Sequence, residues 1–206
     1  LNDKNQPWCF RNKPTQAWLN SGIQDMALNR LNDTTYELVS PGNALNSIKF
    51  GTCRYTVGRC PAPDGRGGLQ VDAVFTLTDA LAEYPRVGLT VPVSAALKNV
   101  RWYGRGPHEC YSDRKAGAML GMYEMKAEDL EVQYIVPQEN GSRCDTKYVE
   151  LSGDGKSLHV ESLTPFSFSV SKYTVADLFK CNHPAELTDL TQAAENPHWM
   201  LTIDAA

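Results

Sequence analysis

Apolar and polar residues alternate along most of this chain. Between Leu69 and Leu77 every second position is apolar, through Val71, Ala73 and Phe75, which is the period of a strand with one face buried. The alternation is strict again in Phe166-Ser167-Phe168-Ser169-Val170-Ser171. Runs rich in β-branched and aromatic residues predict strands over Thr34–Val39, Ile48–Val57, Leu69–Thr78, Val87–Val93, Leu97–Tyr103, Lys147–Leu151, Ser157–Ser162, Pro165–Lys172, Leu187–Gln192 and Trp199–Ile203. Ser40-Pro41-Gly42-Asn43 and Gly153-Asp154-Gly155 read as turns, and Cys60 to Gly68, with its prolines and glycines, reads as a loop. Helical spacing is confined to two places. Trp18, Leu19, Ile23, Met26 and Leu28 suggest an amphipathic helix capped at Thr15, and Thr174–Lys180 suggests a second short one. Many short strands with few helices predict an all-β antiparallel sandwich, a single domain over 1–206 with a loop and short helix leading in over 1–33.

Composition narrows the function classes. The chain has 206 residues, of which 42% are hydrophobic, enough for a sizeable core. A net charge of −4 without a basic stripe argues against nucleic acid as a partner, and no apolar run reaches membrane-spanning length. Six cysteines (Cys9, Cys53, Cys60, Cys110, Cys144 and Cys181) are too dispersed for a zinc ribbon. They read either as buried thiols or as disulfides, with Cys53–Cys60 the most local pair. Two glycosylation sequons, at Asn32 and Asn140, are compatible with secretion. The compartment therefore stays open. The four histidines show no metal-ligand spacing, and no nucleophile elbow occurs. The expectation is no metal, no cofactor and no catalytic residue.

Candidate chemistry concentrates in two blocks. The first runs from Arg101 to Arg114 and contains Trp102-Tyr103-Gly104-Arg105-Gly106-Pro107-His108-Glu109-Cys110-Tyr111. The second, Tyr134 to Asp145, contains Pro137-Gln138-Glu139-Asn140-Gly141-Ser142-Arg143. Glu109 and Asp113 could form a general acid–base pair, but Asp113 beside Arg114 in a Gly-Pro loop is better read as a turn-fixing ion pair. Glu109, Asp113 and Arg114 are thus assigned to loop structure. Glu139, Asn140 and Arg143 offer a carboxylate, an amide and a guanidinium, which suit sugar hydroxyls that both donate and accept. Asn140-Gly141 is equally a turn signal. Trp102, Tyr103 and Trp199 are candidate platforms for stacking on a sugar ring, Trp102 and Trp199 foremost, although aromatics in β-rich chains are core residues first.

In order along the chain, these blocks resemble the small chain, or C-terminal portion, of glycoside hydrolase family 2 β-galactosidases. Leu1-Asn2-Asp3 is similar to the end of that family's Ala-Pro-x-Asp-Asn-Asp segment, and Trp18 with Gly22 to its Trp-x-x-x-Gly helix. Arg101–Arg114 and Tyr134–Asp145 resemble its Trp-x-Gly-x-Gly-Pro-x-Glu-x-Tyr-x-Asp-Arg and Tyr-x-x-Pro-Gln-Glu-Asn-Gly-x-Arg-x-Asp blocks. Phe166–Ser169, Tyr173, His183, Glu186-Leu187 and Leu201–Asp204 follow in family order. The resemblance implies an antiparallel supersandwich of the galactose-mutarotase-like type, beside a (β/α)8 barrel that carries both catalytic glutamates of a retaining enzyme. Two departures accompany it. The sequence stops before the family's Gly-x-Gly-Gly-Asp-x-x-Trp segment, and Asn5 stands where the mobile loop near the active site has glycine. The parts of the domain nearest substrate are thus expected to be trimmed or altered.

Three functions follow from the resemblance. The first is a non-catalytic carbohydrate-associated domain that binds galactose or a β-galactoside weakly or supports a separate catalytic barrel chain. The second is a stand-alone galactose-binding lectin, and the third an aldose epimerase-like enzyme, which rests on fold class alone. A homo-oligomer is a further partner to consider. Bacterial relatives of this kind imply a cytoplasmic location, against which the cysteines and sequons leave secretion open.

Overall fold

The computed structural model describes residues 27–39, 51–61, 67–77 and 87–205. They form two antiparallel sheets with few short helices, the all-β class expected from the alternation. The contacts divide the chain into two compact units, one holding the first sheet and one the second.

The first unit is a four-stranded sheet of β1 (Ala27–Arg30), β2 (Thr35–Val39), β3 (Gly51–Pro61) and β4 (Gly67–Leu77), in sequential order. Its register aligns Leu28, Leu38, Cys53 and Phe75 in one row and Tyr36, Tyr55 and Ala73 in the next. Strand alternation therefore collects the apolar side chains on one face, while Thr52, Arg54, Thr56, Gln70 and Asp72 take the other. Arg54 pairs with Glu37 across neighbouring strands at 2.9 Å.

Three expectations change here. The ladder of β3 and β4 runs on through Cys60↔Gly68 and Pro61↔Gly67, where a loop was predicted. Pro61 is tolerated because it is the last residue of its strand. Leu28, assigned to the first helix, lies in β1, and the rest of that helix lies outside the described residues. Cys53 and Cys60 stand on one extended strand, seven residues and so about 23 Å apart on opposite faces, which excludes a bond between them.

The second unit is a six-stranded sheet in the order β5-β10-β9-β8-β6-β7. Its strands are β5 (Gly88–Ser94), β6 (Asn99–Gly106), β7 (Met119–Lys126), β8 (Arg143–Gly153), β9 (Lys156–Ser171) and β10 (His198–Ala205). One face is the core: Val100, Trp102, Val149, Leu151, Phe166, Phe168, Val170, Trp199 and Leu201 pack together. A 3-10 turn at Ala127–Leu130 covers part of it with its two buried apolar residues. β8 and β9 are joined at Asp154 and Gly155, both at positive φ (50° and 70°) as a tight hairpin turn requires. The two short strands expected over 157–172 are one long β9.

Helix α1 (Val175–Lys180) is capped by Thr174, whose hydroxyl accepts from the Asp177 N–H at 3.0 Å. Leu187–Gln192, expected as a strand, is instead a turn around Leu190–Gln192. Asp189 Oδ1 accepts there from both the N–H and the hydroxyl of Thr191, which satisfies locally what a ladder would otherwise supply. In contrast, β7 was not anticipated from the sequence.

Candidate functional site

The two blocks meet in the second unit and hold each other along their whole length. Arg105, near the end of β6, sends its Nε to Asp145 Oδ2 at 2.5 Å, and Lys115 Nζ reaches Asp145 Oδ1 at 2.7 Å. Arg105 Nη1 also donates to the Ala118 carbonyl at 2.8 Å. The Lys115 ammonium, and then the Arg105 guanidinium, hold the Asp145 carboxyl below its ordinary range. Gly104 permits this approach: a Cβ there would lie 2.7 Å from Thr146 Oγ1 and 2.9 Å from Thr146 Cα.

Further along, Glu109 sits at the centre of the contact. Its Oε1 accepts from Arg114 Nη2 at 2.6 Å and from the Tyr134 hydroxyl, and its Oε2 accepts from the Gly141 N–H at 2.9 Å. Burial pushes this carboxyl up, but the donors from Tyr134, Gly141 and Arg114 together bring it below the ordinary value. Arg114 thus pairs with Glu109 and not with its neighbour Asp113, which is exposed in the turn bridging Tyr111 and Arg114. Glu109 and Asp113 are accordingly not an acid–base pair facing a cleft. Arg114 also lies over the Tyr111 ring, 5.4 Å from its centroid.

Arg143, at the start of β8, is only 2% exposed and is turned toward the core face. Its Nε donates to the Pro107 carbonyl at 3.0 Å and its Nη1 to the Gly141 carbonyl at 2.8 Å. The guanidinium lies 5.6 Å from the Trp102 ring. Asn140 closes the preceding loop: Oδ1 accepts from the Val132 N–H at 2.9 Å and Nδ2 donates to the Gln138 carbonyl at 3.0 Å. Its sequon is therefore buried, whereas Asn32 caps the exposed β1–β2 turn by accepting from Thr34 and Thr35.

Trp102 and Trp199 are core residues. Trp102 is completely buried, its ring 5.3 Å from Tyr123 and 5.8 Å from Phe168, with Nε1 donating to the Arg105 carbonyl at 3.0 Å. Trp199 is 5% exposed within the same core. Stacking on a sugar requires an open ring face, which Trp102 does not have. Glu139 lines a small cavity of mixed character with Asn140, Tyr173, Leu178, Met200 and Thr202. At about 20 Å³ this cavity has room for a single water and is far too small for a hexose.

The two blocks are legible in the sequence, whereas the roles of Arg105, Lys115, Asp145 and Tyr134 in joining them are not. A partial signal is present: each block carries charges that its own neighbours leave unmatched. Cys110 and Cys144, read only as two of six thiols, also lie at this junction.

The family model described as the β-galactosidase small chain matches residues 2–206. This chain belongs to the β-galactosidase small-chain family. A β-galactosidase of Vibrio cholerae is 39% identical over 142 residues, 69% of this chain and 12% of that protein. One from Enterobacter cloacae is 35% identical over 142 residues, 69% of this chain and 13% of its own. One from Aeromonas hydrophila is 31% identical over 184 residues, 83% of this chain and 17% of its own. The small chain thus spans less than a fifth of the length of these curated relatives. Within the small chain, the paired motif blocks form an internal brace of ion pairs at Glu109 and Asp145 and of main-chain hydrogen bonds at Arg143.

Proposed function

We propose that this small chain is the non-catalytic, C-terminal β-rich part of a family 2 β-galactosidase. In this reading it supports a catalytic barrel that carries the glutamates for β-galactoside hydrolysis. The observation that carries the reading is the match over residues 2–206 to a small-chain family whose curated relatives are named β-galactosidases and are several times longer. The chemistry of the junction supports it. The carboxylates most suited to acid–base work, Glu109 and Asp145, each already accept from two or more donors of the protein itself. Such a brace presents a rigid surface rather than a reactive group.

Galactoside contact belongs to the same proposal through Glu139 and Asn140, two candidate side chains that line a cavity beside the brace. The cavity volume favours a sugar bound at an interface with the catalytic part over one enclosed by this chain alone. The test pairs the full chain with a barrel-bearing β-galactosidase piece that lacks its own small-chain region. Hydrolysis of a chromogenic β-galactoside is followed for each component and for the mixture. Turnover in the mixture alone is the expected result. Tight galactose binding by the isolated chain in calorimetry, with no turnover in the mixture, would replace the reading with a lectin.

A further inference from the structure

We propose that Cys110 and Cys144 form an oxidation site that closes to a disulfide under hydrogen peroxide and locks the Pro107–Arg114 loop onto the start of β8. The proposal is independent of any galactoside role. The two residues lie on different blocks and meet at the junction, where they form a small buried cluster with Ala118. The Cys110 N–H donates to the Ser142 carbonyl at 2.8 Å, which fixes the two backbones side by side. The Cys144 N–H points at Cys110 Sγ, 3.1 Å away, and Cys144 Sγ lies 3.1 Å from the Cys110 carbonyl oxygen. Each sulfur thus lies against the other residue's backbone, the proximity of two cysteines that a disulfide requires. The other described cysteines are placed elsewhere: Cys53 and Cys60 in the first unit, and Cys181 at the end of α1.

The pair is chemically asymmetric. Cys110 Sγ accepts hydrogen bonds from Cys144 and faces the positive charges of Arg143 and Arg105. The hydrogen bond from the Cys144 side chain, against the opposing effect of burial, pulls the Cys110 thiol down, and the Cys144 N–H and the two arginines add to it. The Cys144 thiol is pushed up by the same shared hydrogen bond and by burial. Cys110, whose sulfur accepts the Cys144 N–H, is therefore assigned as the nucleophile and Cys144 as the resolving thiol.

The chemistry balances in two steps. The Cys110 thiolate attacks one oxygen of peroxide, the O–O bond breaks, and hydroxide leaves to take up the proton that ionisation released. Cys110 becomes a sulfenic acid. Cys144 sulfur then attacks Cys110 sulfur, the S–O bond breaks, and the departing oxygen leaves as water with the Cys144 proton. The two thiols lose two electrons and two protons, and peroxide is reduced to two waters.

Both sulfurs are buried, so peroxide, which is close to water in size, enters when the loop opens locally. Oxidation then closes a covalent ring from Cys110 to Cys144 around Tyr134, Glu139 and Asn140, and makes further opening of the brace harder.

The full chain is reduced, desalted and treated with hydrogen peroxide at neutral pH. Remaining thiols are alkylated, and the peptides are mapped without reduction. The expected product is a Cys110–Cys144 peptide pair that dithiothreitol separates, with a melting temperature raised by roughly 5–10 °C over the reduced protein. Cys144→Ser should accumulate a dimedone-reactive sulfenic acid at Cys110, and Cys110→Ser should leave Cys144 unlabelled. The wild-type map decides the matter even where a variant fails to fold. Recovery of Cys110 and Cys144 as free thiols after Cys60 and Cys181 have oxidised would overturn the proposal, as would pairing of either with a different cysteine. A disulfide that leaves the melting temperature unchanged would overturn the lock.

Discussion

Removing the Arg143 side chain should destabilise the second unit more than any change at an exposed arginine. The guanidinium makes two short bonds to main-chain carbonyls, Pro107 at 3.0 Å and Gly141 at 2.8 Å, and a longer contact to Ser142 at 3.4 Å. A hydrogen bond to a charged group contributes about 1.5–3 kcal/mol, and a buried acceptor left without a donor costs about 1–3 kcal/mol. Truncation also removes the stem that packs near Trp102 and leaves a cavity. Against these losses stands the relief of a buried charge, the same burial that pulls the Arg143 guanidinium down from its ordinary range. The balance for Arg143→Ala is a loss of about 3–4 kcal/mol.

Arg143→Met separates the terms, because it keeps an apolar stem against Trp102 but leaves the carbonyls unmatched. It should recover about 1 kcal/mol relative to alanine. Arg143→Lys keeps the charge but cannot fork to two carbonyls, and should fall between methionine and wild type. Urea unfolding monitored by tryptophan fluorescence reads all three, since Trp102 lies beside the mutated group. An alanine variant within 1 kcal/mol of wild type would refute the brace. So would a methionine variant as stable as wild type, which would mean that the carbonyl bonds contribute nothing.

The remaining predictions concern pH and backbone geometry. Glu109 has its folded-state value lowered beneath the ordinary 4.5, so its contribution is fully present above that pH and is lost as pH falls through the folded value. Glu109→Gln should therefore be about 1–2 kcal/mol less stable at pH 7 yet lose less stability between about pH 5 and pH 3, and parallel acid-unfolding curves for the two proteins would contradict this. Gly141 combines φ of +74° with a position where a Cβ would meet the Leu130 carbonyl oxygen at 2.7 Å, so Gly141→Ala should cost about 2–3 kcal/mol in thermal unfolding; a neutral result would place that turn elsewhere. Thr174→Ala removes the cap on α1 and should cost about 1 kcal/mol, recovered in large part by Thr174→Ser; equal losses in both variants would show that the hydroxyl is not the capping group.

Where one face of a strand is buried and the other is not, the strand was legible. Phe166–Ser171 alternates because its partners bury one face, whereas Leu69–Leu77 alternates and is a strand although Leu69, Val71 and Ala73 stand exposed. β7 failed that test for a physical reason. Met119-Leu120-Gly121-Met122-Tyr123-Glu124-Met125-Lys126 is apolar on both sides and rich in good helix formers. It is extended because β6 offers it a ladder of paired residues from Asn99↔Lys126 to Gly106↔Met119, a tertiary fact absent from the local pattern. Leu187–Gln192 failed in the opposite direction, since the Asp189 side chain supplies a local acceptor that no hydrophobicity pattern records.

The junction was legible as a place but not as a set of pairings. A guanidinium with a carboxamide and a carboxylate nearby suits sugar hydroxyls, but the same donors suit main-chain carbonyls, and residue type alone does not choose between them. The choice lies in the backbone. Register shifts between β8 and β9 on either side of Thr146 place Arg143 opposite Phe168 on the core side, where the carbonyls of Pro107 and Gly141 are within reach. Asp145, at φ of +51°, is turned from the same point toward Arg105 and Lys115. These irregularities thus send Arg143 and Asp145, two residues apart on β8, to different partners. Straightening β8 would return Arg143 and Asp145 to strict strand alternation on one face and undo this division of partners, so the irregularity in register is what lets one strand serve both ends of the brace.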